Sequence, residues 1–237
     1  MQARKVYRQK NRVCVLTGAG VSSESGVPTF RGEDGLWRNY NPMELATFEA
    51  FKRDPLLVWE WYQWRRQLIR KCEPNPSHRA IFQMENDKEH FLLITQNVDG
   101  LHKRAGSSKV VEIHGNIWDV KCITCDHVFT MDHDFENLPP VCDDCGSFLR
   151  PNVVWFGETI PRESLEKSMD ALSSCDLLIV AGTSGYVQPA ASFAQIALRN
   201  RATVIEVNIE KTPNAALVDH FFVGKSGEIL PSLIAEQ

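Results

Sequence analysis

Four cysteines have the types and spacing for metal chemistry. Cys122 and Cys125 form one CxxC pair, and Cys142 and Cys145 form a second sixteen residues further on. Two such turns each offer two thiolates to one tetrahedral ion, the arrangement of a structural zinc site, and four cysteine ligands leave no open position for catalysis. Two disulfides would suit an exported chain, and the N-terminus has no apolar export signal. A second set of residues could do organic chemistry. The stretch TGAGVSSESGVPTFRG, residues 17–32, opens with Gly18, Ala19 and Gly20 as the GxG of a dinucleotide loop, but Ser23 holds the third glycine position. The acid expected about 20 residues further on is also missing, with Tyr40 in its place. The backbone N–H groups of Gly18 to Val21 are nonetheless expected to cradle a pyrophosphate. Further polar groups close successive apolar runs: Gln96, Asn97 and Asp99; His114; Gly182, Thr183 and Ser184; Asn208 and Glu210. Amide, carboxylate and imidazole together are able to orient a substrate and move a proton.

The apolar runs must be the elements that place these groups. They cover 12–17, 91–95, 110–114, 152–156, 176–183 and 202–208, and are mostly continuous, as strands buried on both faces of a parallel sheet should be. Helical patterns at 76–87, 163–175 and 189–200 lie between them. The expected fold is α/β, a doubly wound parallel (Rossmann-like) sheet with its ligand crevice at the carboxyl ends of the strands. Two stretches interrupt the alternation: 32–75, rich in Trp and Arg, and 119–150, rich in Cys and Asp. We expect a single domain over 1–237, with a core from 1–31, 76–118 and 151–237. The helical insertion and the zinc-binding insertion then form a smaller lobe over the sheet.

Composition narrows the function classes. The chain has 237 residues, 43% of them hydrophobic, with a formal net charge of -4 and a pI near 6.0. That balance gives no basic footprint for nucleic acid, and Asp126, Asp132, Asp134, Glu136, Asp143 and Asp144 around the cysteine quartet would repel phosphate. No apolar run approaches the roughly 18 residues that span a membrane, so a cytoplasmic protein is expected. The basic residues from Arg4 to Arg12 read as a solvated helix end. Cys14, Cys72 and Cys175 sit in or near apolar patterns and are expected to be buried packing residues.

The ordered motifs GAGVSSESGVPTFRG, TQNVDGLHKRAG, EIHGN, the CxxC pairs, RPNVVWFGE, AGTSGYVQPAA and VNIE resemble those of the sirtuins, NAD-dependent protein lysine deacylases, over almost the whole chain. The resemblance implies that NAD is consumed as a co-substrate, beside one structural zinc. It implies a pyrophosphate and ribose site at Gly18, Ala19, Gly20, Ser22 and Glu24, with Phe30 and Arg31 at the nicotinamide end. Gln96, Asn97 and Asp99 would line the nicotinamide ribose and carboxamide pocket. Gly182, Thr183, Ser184, Asn208, Glu210 and Ser226 would lie along the adenosine half. His114 would be the general base, with Asn97 and Asp99 orienting the reactants. The implied reaction begins with attack of the acyl oxygen on C1′ of the nicotinamide ribose and ends with free lysine and O-acyl-ADP-ribose. Val154, Trp155, Phe156, Gly157 and Glu158, with Gly185, Tyr186 and Val187, resemble the two segments that hold an acylated lysine-containing protein as an added strand.

The acyl group is addressed by residues 54–71. This stretch reads as a helix with Pro55 in its first turn, and Tyr62 and Arg65, three apart, share one face. An arginine closing an acyl pocket needs an anion, because an unpaired buried charge is costly. Within the sirtuin resemblance, YxxR together with the small Ala46 is the pattern of the class that removes succinyl and malonyl groups. Acetyl removal is expected to coexist. Arg66 is the neighbouring alternative, about 100° away around an ideal helix. Mono-ADP-ribosyl transfer and non-catalytic reading of acyl-lysine are the rival functions.

Overall fold

The computed structural model describes residues 2–30 and 35–235, so Arg31 lies outside the described residues. Nine strands run in chain order among them: β1 Arg12–Thr17, β2 His90–Thr95, β3 Val110–Glu112, β4 Gly115–Cys122, β5 Val128–Thr130, β6 Leu149–Val153, β7 Leu177–Ala181, β8 Thr203–Asn208 and β9 His220–Val223. Six form a parallel sheet in the order β3-β2-β1-β7-β8-β9. The chain therefore winds outward from β1 to one side and from β7 to the other, which opens a crevice where the direction switches. Strands β1, β7 and β8 are buried along nearly their whole length because helices cover both faces of the sheet.

The expected strand over 152–156 is a correction. Only its first two residues are in a strand, β6, and β6 pairs antiparallel with β4 in a separate three-stranded sheet ordered β5-β4-β6. Beyond Val153 the chain leaves the ladder. The Val154 amide donates to the His114 carbonyl and the Phe156 amide to that of Ala46, both at 2.9 Å. A short apolar run is buried equally well within a sheet or between two lobes, so its pattern alone did not distinguish them.

The helix Pro55–Arg70 packs on β4 and β6 of the small sheet. Asp54 caps it by accepting the Leu57 amide at 3.0 Å, and Pro55 opens its first turn, where a missing N–H costs nothing. One face carries Gln63, Arg66, Gln67 and Arg70, spaced by three and four, toward the segment 131–135 of the small lobe. Val58, Trp59, Tyr62 and Ile69 of the same helix enter the core that the small lobe shares with Ala46, Phe51 and Trp155.

Candidate active site

The loops after β1 and β7 meet at the switch point with no room for side chains. Gly182 has φ +60°, and a Cβ built there would lie 2.4 Å from the Val21 nitrogen; one on Gly20 would lie 2.8 Å from the Gly182 Cα. The contact is bonded: the Gly18 amide donates to Ala181 O at 3.0 Å and the Gly20 amide to Gly182 O at 2.8 Å. This corrects the expected phosphate cradle. Of the four amides from Gly18 to Val21, three are committed, Val21's to Gly18 O. Of those four, the Ala19 amide alone has no acceptor among the described residues. Glycines here serve the close approach of two loops as much as that of a ligand.

These loops form one end of a cleft of about 1340 Å³. Its wall includes Gly18, Ala19, Gly20, Glu24, Phe30, Gln96, Asn97, His114, Gly182, Thr183, Ser184, Asn208, Glu210 and Ser226. Residues predicted from five separated motifs, together with Ser226, thus share one cavity. Ala46, Tyr62 and Arg65 from the helical insertion reach the same cavity, as do Val154, Phe156, Gly157 and Glu158. Gly185 and Tyr186 stand outside the wall, with Tyr186 68% exposed.

Ser22 and Asp99 lie behind the wall, where contact with a bound ligand had been expected. Asn97 donates through Nδ2 to Gly18 O and to Ser22 Oγ, each at 3.1 Å, which leaves its side-chain oxygen for a ligand. Asp99, only 4% exposed, accepts the Leu101 amide at 2.9 Å; burial pushes its pKa up, against hydrogen bonds from Leu101 and Ser22. Ser22 therefore bridges Asn97 and Asp99. Further back, His78 Nε2 lies 3.4 Å from Ser22 Oγ, and His102 Nε2 lies 3.0 Å from Thr17 Oγ1, which donates to Thr95 Oγ1. Sequence reasoning missed this buried support. Its available signal was Asn75, three residues before His78, which with it forms a reciprocal cap on the helix Pro76–Asp87.

His114 sits at the junction of the two halves of the cleft. Its Nδ1 lies 3.1 Å from Gln96 O, so that nitrogen carries the proton and Nε2, with no protein partner among the described residues, is the basic one. Burial lowers its pKa, and the bond to Gln96 opposes this in part. Gln96 also donates to Thr183 Oγ1 at 2.8 Å, and Asn208 to Thr183 O at 2.7 Å, tying the ends of β2, β7 and β8 together. Glu24 accepts the Gly227 amide at 2.9 Å and the Ser226 hydroxyl at 3.3 Å at the start of the helix Ser226–Ile234, where a negative charge meets the helix dipole.

Arg65 is 5% exposed and has no hydrogen bond or ion pair to protein among the described residues. Its guanidinium lies 4.6 Å from the centre of the Phe30 ring and 5.0 Å from that of Trp61. Desolvation lowers its pKa, opposed by Tyr62 and Asp99. Arg66 is excluded from the cleft: it donates to the carbonyls of Met131 and His133 in the small lobe. Glu158 accepts two bonds from Arg150 and one from the Trp155 amide, so its carboxylate is already engaged.

The four cysteine sulfurs lie within 4.8 Å of one another, with Cys122–Cys145 at 3.4 Å, Cys125–Cys142 at 3.7 Å and Cys125–Cys145 at 3.8 Å. Zinc–sulfur bonds of about 2.3 Å place tetrahedral sulfurs about 3.8 Å apart, so the quartet fits the ion. Each pair is closed by a left-handed residue, Asp126 at φ 58° and Gly146 at φ 72°. The surrounding acids have local duties: Asp134 pairs with Arg70, Asp126 with Lys121 and Asp144 with His127.

Comparison with known proteins agrees with this geometry. The model of the Sir2 family matches residues 18–189. NAD-dependent protein deacylase 2 of Pyrobaculum aerophilum is 51% identical over 227 residues, 95% of this chain and 91% of that protein. A solved Sir2 homologue in complex with NAD is 44% identical, with a TM-score of 0.93, and the match covers 98% of this chain and 91% of that one. A Sir2 structure with a p53 peptide and NAD+ is 30% identical, with a TM-score of 0.89 over 97% of this chain and 95% of that one.

Proposed function

The chain belongs to the Sir2 family, and from that premise we propose that it is an NAD-dependent protein-lysine deacylase that removes succinyl and malonyl groups, and acetyl groups as well. Its products are nicotinamide, O-acyl-ADP-ribose and free lysine. NAD lies along Gly18–Gly20, Glu24, Gln96 and Asn97, with Gly182, Thr183, Ser184, Asn208, Glu210 and Ser226 along its adenosine half. The acyl-lysine enters between the chain at 154–158 and that at 184–187, and its acyl end reaches Ala46, Tyr62 and Arg65. His114 Nε2 takes the proton from a ribose hydroxyl. Asn97 offers an oxygen to the ribose, and Asp99 acts through Ser22 to hold Asn97. The quartet Cys122, Cys125, Cys142 and Cys145 holds zinc that keeps the small lobe folded and takes no part in the reaction.

One observation carries the acyl preference: a buried arginine in the cleft with no hydrogen bond or ion pair to protein among the described residues, the Asp99 carboxylate acting on it only through space. A carboxylate at the end of the acyl chain supplies the missing anion through the guanidinium fork. An acetyl group supplies none.

The test is mass-spectrometric turnover of one peptide carrying acetyl-lysine or succinyl-lysine, with and without NAD, by the wild type and by Arg65→Met. The expected result is NAD-dependent release of both acyl groups, a preference for succinyl, and a fall in the succinyl-to-acetyl ratio of about a hundredfold in the variant, corresponding to loss of a desolvated charge-assisted pair. Better acetyl turnover in the wild type would refute the acidic pocket. No NAD-dependent turnover of either peptide would refute deacylation altogether and turn attention to ADP-ribosyl transfer.

A further inference from the structure

Trp155 stands beside the acyl pocket, and its indole makes contacts on every side. Its Nε1 donates to Tyr62 Oη at 2.8 Å, with both residues buried. The Arg150 guanidinium lies 3.5 Å above its ring, and Arg150 is itself fixed by Glu158. The Glu158 carboxylate also accepts the Trp155 backbone amide at 2.8 Å. Phe51 packs against the indole at a centroid distance of 5.5 Å. A large side chain clamped at its ring face, its amide and its N–H has one orientation available.

That orientation has a chemical consequence at Tyr62. An indole N–H only donates, so the tyrosine oxygen must accept from it. The phenolic proton is then left for another acceptor, and the hydroxyl has no other partner among the described residues. Tyr62 shares the cleft with Arg65, and burial raises its pKa, which keeps the proton on the oxygen. We propose that Trp155 is a specificity-determining positioning residue: by occupying the acceptor side of Tyr62 it aims the phenolic proton into the acyl pocket, so that Tyr62 and Arg65 together grip a carboxylate. This rests on the acidic-pocket reading above and adds a residue outside the YxxR pair.

The experiment is a cycle on the full chain with succinyl-lysine and acetyl-lysine peptides, comparing wild type, Trp155→Phe, Tyr62→Phe and the double variant. Phenylalanine at 155 keeps an aromatic ring against Arg150 and Phe51 and removes the donor together with part of the ring volume, a packing loss that acts on both peptides alike. The expected result is that Trp155→Phe raises the succinyl KM about fivefold to tenfold more than it raises the acetyl KM, with the succinyl-to-acetyl ratio of kcat/KM falling by that factor, the partial loss of one hydrogen bond to a charged group. In the Tyr62→Phe background the same change should shift that ratio by less than about twofold, because no phenolic proton remains to aim. Equal losses on both peptides, or additive effects in the cycle, would show that the indole only packs and would overturn the proposal. Failure of the acidic-pocket reading is visible separately, as a wild type that does not prefer succinyl or an Arg65→Met variant that keeps the preference. Circular dichroism and Tm of each variant separate misfolding from loss of recognition; should Trp155→Phe not fold, Trp155→His restores a ring N–H and is expected to keep the wild-type ratio, and a lowered ratio in that folded variant would equally overturn the proposal.

Discussion

Nδ1 of His114 lies 3.1 Å from the carbonyl oxygen of Gln96, and that contact settles which ring nitrogen is basic. The imidazole must be neutral to accept a proton, and burial moves its pKa below the ordinary 6.5. Full activity is therefore expected above that ordinary value and is lost as pH falls through the lowered one. A pH profile of kcat/KM with acyl peptide and NAD should show an acid limb with its inflection below 6.5. His114→Ala should remove the limb and lower the rate by about 10²- to 10⁴-fold. An acid limb centred above 7 would contradict the assignment.

The nested loops predict an intolerant glycine. Alanine at 182 must hold a left-handed backbone, which costs roughly 1–2 kcal/mol. Its Cβ would also press on the Val21 nitrogen at 2.4 Å, a backbone atom that cannot step aside without moving the loop. Gly182→Ala is expected to lose at least about 2 kcal/mol of stability in denaturant melts and to raise the KM for NAD. Unchanged values for both would show that the loops are looser than they look.

The buried histidines predict acid lability apart from catalysis. Burial pushes the His78 pKa down to about 4, with Arg79 adding to the effect, and drives that of His102 well below its ordinary value. Both are neutral when folded and take up protons on unfolding below about 6.5. The stability they support is present above that pH and is lost as pH falls toward the folded values, about 3 kcal/mol for His78 alone by linkage. Tm measured from pH 7 to pH 4.5 should fall steadily, and less steeply in His78→Asn.

Removing the metal should unfold one lobe and spare the sheet. Chelation, or Cys142→Ser, is expected to release one zinc per chain by elemental analysis and to lower Tm. The small lobe should lose hydrogen-exchange protection first, while β1, β7 and β8 stay protected. Reductant alone should change nothing; a Tm that fell with reductant and ignored chelator would point to disulfides.

Much of this was readable from residue order. Continuous apolar runs gave β1, β2, β7 and β8 to within two residues at either end, because strands buried on both faces are apolar along their length. The cysteine spacing fixed the metal quartet, since ligand geometry dictates spacing. What stayed hidden was set by partners distant in sequence. Nothing near Trp155 announces Tyr62, 93 residues away. The amides of Gly18 and Gly20 looked free until β7 was placed beside them. Ser22 and Asp99 carry the polar types of contact residues, yet their depth depends on how the loops stack.

Arg65 and Arg66 are neighbours in the chain, yet one faces the cleft and the other is spent on the carbonyls of Met131 and His133. The helix thus serves the cleft on one side and the segment 131–135 on the other. On the acidic-pocket reading, the acyl tail meets Tyr62 and Arg65, while the bonds to the segment 131–135 are made by other residues of the helix, Gln63, Arg66, Gln67 and Arg70. If that reading holds, a substitution of Arg65 is expected to alter substrate choice while leaving the contacts of Arg66 with the carbonyls of Met131 and His133 in place, so that selectivity and architecture rest on adjacent residues of one helix.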